Sequence, residues 1–298
     1  MIKVATMNTW NCAGDYKQQL AFQVRSLKKE KIDILCCREA FCTLDGKYNS
    51  AGILATKLGM TCSFSAARQE RMVFQEKEIE SIFGLAILTG AGVWMLHSGS
   101  FVLPEKSGEN GPMVQFAVIR KDGDAVLVLN LHFSHLQNKG RLRRKQLQAI
   151  FAHPIMGKQF AAILFCGDFF ENSADEELAL LKKQSFYKVR DGFVAGSAGH
   201  LLSTLVQKND ATDRQSCRRI DHIFVLEEKK QPVAKLNFAN SRLLLDQTES
   251  DSILHPDHFG VAFDLKLSRV KKDETSQVYR YVACTQPWSG KKKRECFC

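Results

Sequence analysis

Apolar, strand-like runs recur along nearly the whole chain, and many meet a polar side chain at one end; this constrains the fold more than any other feature. Residues 2–8 set Ile2, Val4 and Thr6 against their neighbours in the period of two that a half-buried strand requires. IDILCC (32–37) reads as a buried strand. Further strand-like runs are IFGLAILT (82–89), VWMLHSGSFVL (93–103), MVQFAVI (113–119), AVLVLNLHF (125–133), AAILFCGD (161–168), RIDHIFVL (219–226) and FGVAFDLKL (259–267). Leu20, Val24 and Leu27 predict a helix across 17–30, and the basic amphipathic stretch 140–151 predicts another. DEELALLKK (175–183) is a third, shorter one. Strands dominate and no repeat is visible, which fits two packed sheets with helices outside. The Gly-, Ser- and Asp-rich segment 191–218 reads as a long loop, and 270–298 as a polar, basic tail following one domain over 1–269.

Bulk properties exclude some classes. With 45% hydrophobic and 25% charged residues the chain can bury a core, which argues against wholesale disorder. No stretch approaches the roughly 20 apolar residues needed to cross a bilayer. MIKVATMNTW lacks the apolar core of a signal peptide and reads as a first strand. A net charge of +10 favours acidic partners: nucleic acid, anionic lipid or phosphorylated small molecules. The ten cysteines show no zinc-ligand spacing, and several sit in apolar runs. Cys36 and Cys37 are adjacent, so in a strand they point to opposite faces. Reduced thiols and an intracellular location are expected, cytoplasmic, peripheral-membrane or nuclear; a secreted, disulfide-bonded chain is the alternative.

The candidate chemistry lies at strand ends. Asn8 ends the first strand, Glu39 follows IDILCCR, and His132 sits in LNLHF. Asp168 ends ILFCGD, Asp221 opens the RIDHIF strand, and Asp257 and His258 precede FGVAF. Strand ends open onto loops at the rim of a sheet, where reactive groups can meet on a rigid base. Taken singly, each has an ordinary explanation: a carboxylate after a strand caps a turn, and a lone His is a hydrogen-bonded structural residue.

Taken in order, ATMN, CREA, NLHFSH, CGDFF, RRIDHIF and PDHFGV resemble the successive motifs of the endonuclease/exonuclease/phosphatase (DNase I-like) superfamily, over roughly residues 2–267. The resemblance implies an α/β four-layer sandwich of two packed mixed β-sheets flanked by helices. It also implies hydrolysis of a phosphate ester, through a divalent metal and direct attack of water. By the same resemblance Asn8, Glu39 and Asp257 stand at the metal, Mg²⁺ with Mn²⁺ as the alternative. His132 would contact the scissile phosphate, Asp168 position the attacking water, and Asp221 orient His258.

Three positions depart from the family pattern. The usual Gly-Asp-Phe-Asn reads Gly167-Asp168-Phe169-Phe170, and Phe170 cannot donate to phosphate or water as Asn does. The usual Gln before Glu39 is Arg38, and the usual Ser before Asp257 is Pro256. A missing transition-state donor costs about 100–1,000-fold in rate. The alternative reading is therefore a catalytically impaired, phosphate-binding relative. The expected substrate is nucleic acid or a phospholipid such as sphingomyelin, with Arg214, Arg218 and Arg219 as candidate phosphate contacts. The tail places Lys291–Arg294 before Cys296 and Cys298. That resembles the Cys-x-Cys ending of prenylated small GTPases, which would give peripheral membrane contact; a basic tail with two incidental thiols is the plainer reading.

Overall fold

The computed structural model describes residues 1–9, 15–105, 111–133, 140–169, 179–181, 183–197, 205–207, 216–218, 220–245 and 259–270. Two mixed six-stranded sheets carry the fold. The first has the order β13-β14-β1-β2-β4-β3: β1 (Ile2–Asn8), β2 (Ile34–Thr43), β3 (Thr61–Phe74), β4 (Lys77–Thr89), β13 (Ala234–Leu244) and β14 (Gly260–Arg269). The second has the order β5-β6-β7-β8-β12-β9: β5 (Trp94–Val102), β6 (Met113–Lys121), β7 (Asp124–His132), β8 (Ala162–Asp168), β9 (Tyr187–Asp191) and β12 (Asp221–Glu228). Within each sheet one pair is parallel, β1 with β2 and β7 with β8.

Three apolar layers hold these sheets. The layer between them is built from inward-facing side chains of both, among them Ile2, Val4, Ile34, Cys36, Val128, Leu164, Cys166, Ile223 and Phe263. A second lies under helices α1 (Tyr16–Lys28) and α2 (Ser50–Leu58), and a third behind the other sheet, with Leu147 and Ile150 of α3 (Gly140–Ala152). Cys36 belongs to the layer between the sheets and Cys37 to the layer under the helices, as strand alternation predicts. Both helices on the first sheet begin at side-chain caps. Asp15 accepts from the Lys17 and Gln18 amides, and Asn49 accepts from that of Gly52.

Several elements differ from the sequence reading. Helix α2 and strands β3, β9 and β13 were not expected. The β3 sequence, TCSFSAARQERMVF, is half exposed and polar, and only its long antiparallel pairing with β4 makes it a strand. The segment 191–218 is not one long loop. It holds the end of β9, a short helix α4 (Gly192–Gly196) capped by Asp191, and a two-stranded ribbon of β10 (Leu205–Gln207) and β11 (Ser216–Arg218). The helix expected over 175–183 lies mostly outside the described residues. In α3 two polar side chains turn inward: Arg143 is buried, and Gln146 is buried and donates to the Pro104 carbonyl at 2.9 Å.

Candidate active site

Along each central strand the inward-facing column changes from apolar to polar toward the same end of the sandwich. On β1 it runs Ile2, Val4, Thr6, Asn8; on β2, Ile34, Cys36, Arg38; on β7, Val126, Val128, Asn130, His132. On β8 it runs Ala162, Leu164, Cys166, Asp168, and on β12, read backwards, Val225, Ile223, Asp221. In register, His132 stands beside Asp168 and Asp168 beside Asp221, so three neighbouring strands present one polar row. In the other sheet Asn8 stands beside Arg38. Gly167 permits the close approach of β8 to β7, since a Cβ there would meet the Leu131 carbonyl oxygen at 2.8 Å.

A bulge delivers Glu39. The pairing of β2 with β4 shifts between Cys37 and Ala40, and Glu39 adopts a left-handed φ of 52°. Such bulges insert a residue and re-aim the side chains around it. Glu39 Oε1 stands 3.9 Å from His132 Nε2, which spans the gap between the two sheets. Two devices hold the bulge. Asn130 of the opposite sheet donates its amide to the Cys37 carbonyl at 2.9 Å and the Ala86 carbonyl at 3.1 Å, the last register pair before the shift. Past Asn8, the Thr9 amide and hydroxyl both donate to the Arg38 carbonyl, at 2.9 and 2.8 Å.

Arg38 forms the floor. It is fully buried, donates to Thr6 Oγ1 in its own sheet, and makes an ion pair with Asp221 Oδ1 of the other. Asp221 is also fully buried and Asp168 nearly so, at 2% exposure. Below this floor, burial pushes the Cys36 thiol well above its ordinary range, with a hydrogen bond to Cys166 acting the same way and Arg38 opposing both. Burial likewise raises the Cys37 thiol. These thiols are protonated packing groups rather than nucleophiles.

The structure thus brings Asn8, Glu39, His132, Asp168 and Asp221 to one end of the sandwich. Strand β14 begins at Gly260 against Thr6 and Met7, at the same end. Asp257, His258, Phe170, Arg214, Arg219, Cys296 and Cys298 lie outside the described residues, as does the side chain of Arg218. Sequence reasoning noted Arg38 only as a departure and missed Asn130 and Thr6. Counting back in steps of two from Asn8 and His132 would have found the latter pair.

Likeness to solved structures follows this geometry. A structure from Leptotrichia buccalis titled as an endonuclease/exonuclease/phosphatase family protein superposes with a TM-score of 0.67 at 16% identity, over 89% of this chain and 100% of that one. This chain has the endonuclease/exonuclease/phosphatase fold. Two further structures of this fold carry more specific names. A Bacteroides thetaiotaomicron mannosyl-6-phosphatase matches at TM-score 0.61 and 17% identity, over 89% of this chain and 100% of that one. A D. rerio TDP2 complexed with single-strand DNA product matches at TM-score 0.62 and 16% identity, over 89% and 98%. No protein-family model and no curated relative matches the sequence.

The donors present suit one hard divalent cation. Among the described residues no three His, Cys, Asp or Glu side chains come together as a ligand set. Mg²⁺ does not require one, since it is bound through one or two carboxylates while water and substrate phosphate complete its shell. The partly exposed Glu39 carboxylate and the Asn8 amide oxygen are donors of that kind.

Proposed function

We propose that this protein hydrolyses a phosphate ester, a phosphodiester of nucleic acid or phospholipid, by direct attack of water in the presence of Mg²⁺. The observation that carries the reading is the convergence of Glu39, His132, Asp168 and Asp221 from both sheets, with Glu39 and His132 3.9 Å apart. The mannosyl-6-phosphatase and the DNA-bound TDP2 of the same fold support a phosphate-containing substrate. A bound Mg²⁺, held by Glu39 and Asn8, would supply positive charge to the phosphoryl oxygens. His132 would donate a hydrogen bond to a phosphoryl oxygen. Asp168 would accept a proton from the attacking water and fix its line of approach. Arg38, locked to Asp221, would hold that carboxylate in place.

The test is Mg²⁺-dependent turnover of a generic phosphodiester such as bis-p-nitrophenyl phosphate, then a screen of DNA, RNA, sphingomyelin and phosphoinositides. His132→Ala and His258→Ala should each abolish turnover. Turnover unchanged by EDTA would sink the metal-dependent reading. A second reading rests on Phe170, which stands where the family has a donor Asn: a phosphate-binding protein without turnover. Phosphate-ester binding without hydrolysis under any divalent metal would establish it.

A further inference from the structure

The strands point their polar ends at one pole, and the opposite pole has a different character. Lys121 pairs with Asp33 there at 2.6 Å and ties the two sheets together. The other acids at this pole are also engaged. Glu30 pairs with Arg242, Asp124 with Arg269, and Asp122 lies 3.6 Å from the Met1 amine. Glu228 accepts an amide hydrogen bond from Gln159. The lysines exceed these acids. Lys28 ends α1, and Lys29 and Lys31 follow it; Lys158 precedes β8; Lys230 precedes β13 and Lys235 lies at its start. All six are exposed, and none makes an ion pair with a described residue.

Hydrogen bonds fix these segments at the pole, and the Lys121–Asp33 pair joins the two sheets there. Gly90 and Lys3 both bind Asp33, just past Lys31; Gln159 donates to the Gln231 carbonyl; the Val270 amide donates to the Val233 carbonyl. Two apolar side chains stand among the lysines, Phe186 at 65% exposure and Val270 at 45%. The Lys229 amide donates to the Phe186 carbonyl, which fixes Phe186 at this pole. Val270, the last described residue, lies at this pole as well. Residues 271–298 follow Val270 and carry Lys271, Lys272 and the run Lys291–Arg294.

We infer that this pole is a docking surface for an anionic lipid bilayer; the candidate active site then faces away from the membrane, toward a substrate reached from water and not a phospholipid of the docked bilayer. Charge complementarity selects an anionic partner. Position selects a bilayer over nucleic acid: a polyanionic substrate needs cations continuous with the pocket, and these lie at the far end of the sandwich. The exposed Phe186 and Val270 suit the headgroup boundary. The inference stands apart from the hydrolytic reading and can fail without it.

The experiment is co-sedimentation of the full chain with phosphatidylcholine vesicles, with and without phosphatidylserine, at low and physiological salt. Binding should require phosphatidylserine and weaken as salt rises. Each lysine at an anionic surface contributes about 1 kcal/mol, so Lys28→Gln/Lys29→Gln/Lys31→Gln should lower partitioning on the order of 100-fold. Lys230→Gln/Lys235→Gln should act in the same direction. All five positions are exposed, and unchanged circular dichroism and urea midpoints would show that the variants fold. Equal partitioning into neutral and anionic vesicles would overturn the inference. So would wild-type binding by the lysine variants together with loss on neutralising Lys291–Arg294, which would place the attraction in the tail alone. Retention of duplex DNA with the same lysine dependence, and no vesicle binding, would overturn it in favour of nucleic acid.

Discussion

Replacing Arg38 by Met tests the floor of the site directly. Met fills much of the space of the Arg side chain, so the cavity term is small, and what changes is charge. Asp221 is fully buried, and Arg38 pairs with it among the described residues. Removing one member of a buried pair leaves a desolvated charge and costs about 3–5 kcal/mol. For a domain of this size that corresponds to a fall in Tm of roughly 6–20 °C. Replacing both members by apolar side chains removes the charge as well as the pair and is often neutral. Arg38 Nε has no hydrogen-bond partner among the described residues, so burial of the guanidinium is only partly compensated and an apolar replacement loses less. Urea unfolding of wild type, Arg38→Met, Asp221→Leu and the double variant, followed by far-ultraviolet circular dichroism, gives the coupling energy. Each single variant should lose about 3 kcal/mol or more, and the double variant should lie within about 1–2 kcal/mol of wild type. Additive losses, or a single Arg38→Met loss below about 1 kcal/mol, would refute the reasoning.

The bulge at Glu39 predicts an inverted order of stability. Left-handed backbone costs a non-glycine residue about 1 kcal/mol or more, so Glu39→Gly should unfold at higher urea than Glu39→Ala, although glycine ordinarily weakens a strand. The Cys36, Cys37 and Cys166 thiols should resist a maleimide in the native protein and label fully in denaturant, read by peptide mapping. Burial lowers the pKa of His153, which stacks on Phe101 at 4.0 Å and accepts the Ile155 amide. The unfolded chain therefore takes up that proton first, and stability is lost as the pH falls below about 6.5. His153→Asn keeps an acceptor and should flatten the fall in urea midpoint between pH 7 and pH 5.

Much of the fold is legible because strand alternation is local. Cys36 and Cys37 occupy opposite layers because they are adjacent on one strand, and no long-range information is needed to say so. Helix α3 is legible from its spacing, and its limits fall within a residue of those expected. Strand β3 is not, because ARQERMVF has the composition of a solvated helix. Its ladder with β4, register-shifted near Ala66, decides the matter. Likewise 191–218 has loop composition, yet the Asp191 cap and the pairing of β10 with β11 give it order.

The amino-acid sequence alone determined most of the central strands and that polar groups end them, because side-chain period and turn chemistry act over a few residues; the edge strands β3, β9 and β13 it did not. It also determined that the ordered polar set resembles one superfamily. Only the tertiary structure decided which of those groups meet. Arg38 reaches Asp221, 183 residues away, and Asn130 secures the carbonyls beside the Glu39 bulge, 93 and 44 residues distant. Such contacts depend on how two sheets face each other, which is a property of the packed core and not of any local stretch of chain.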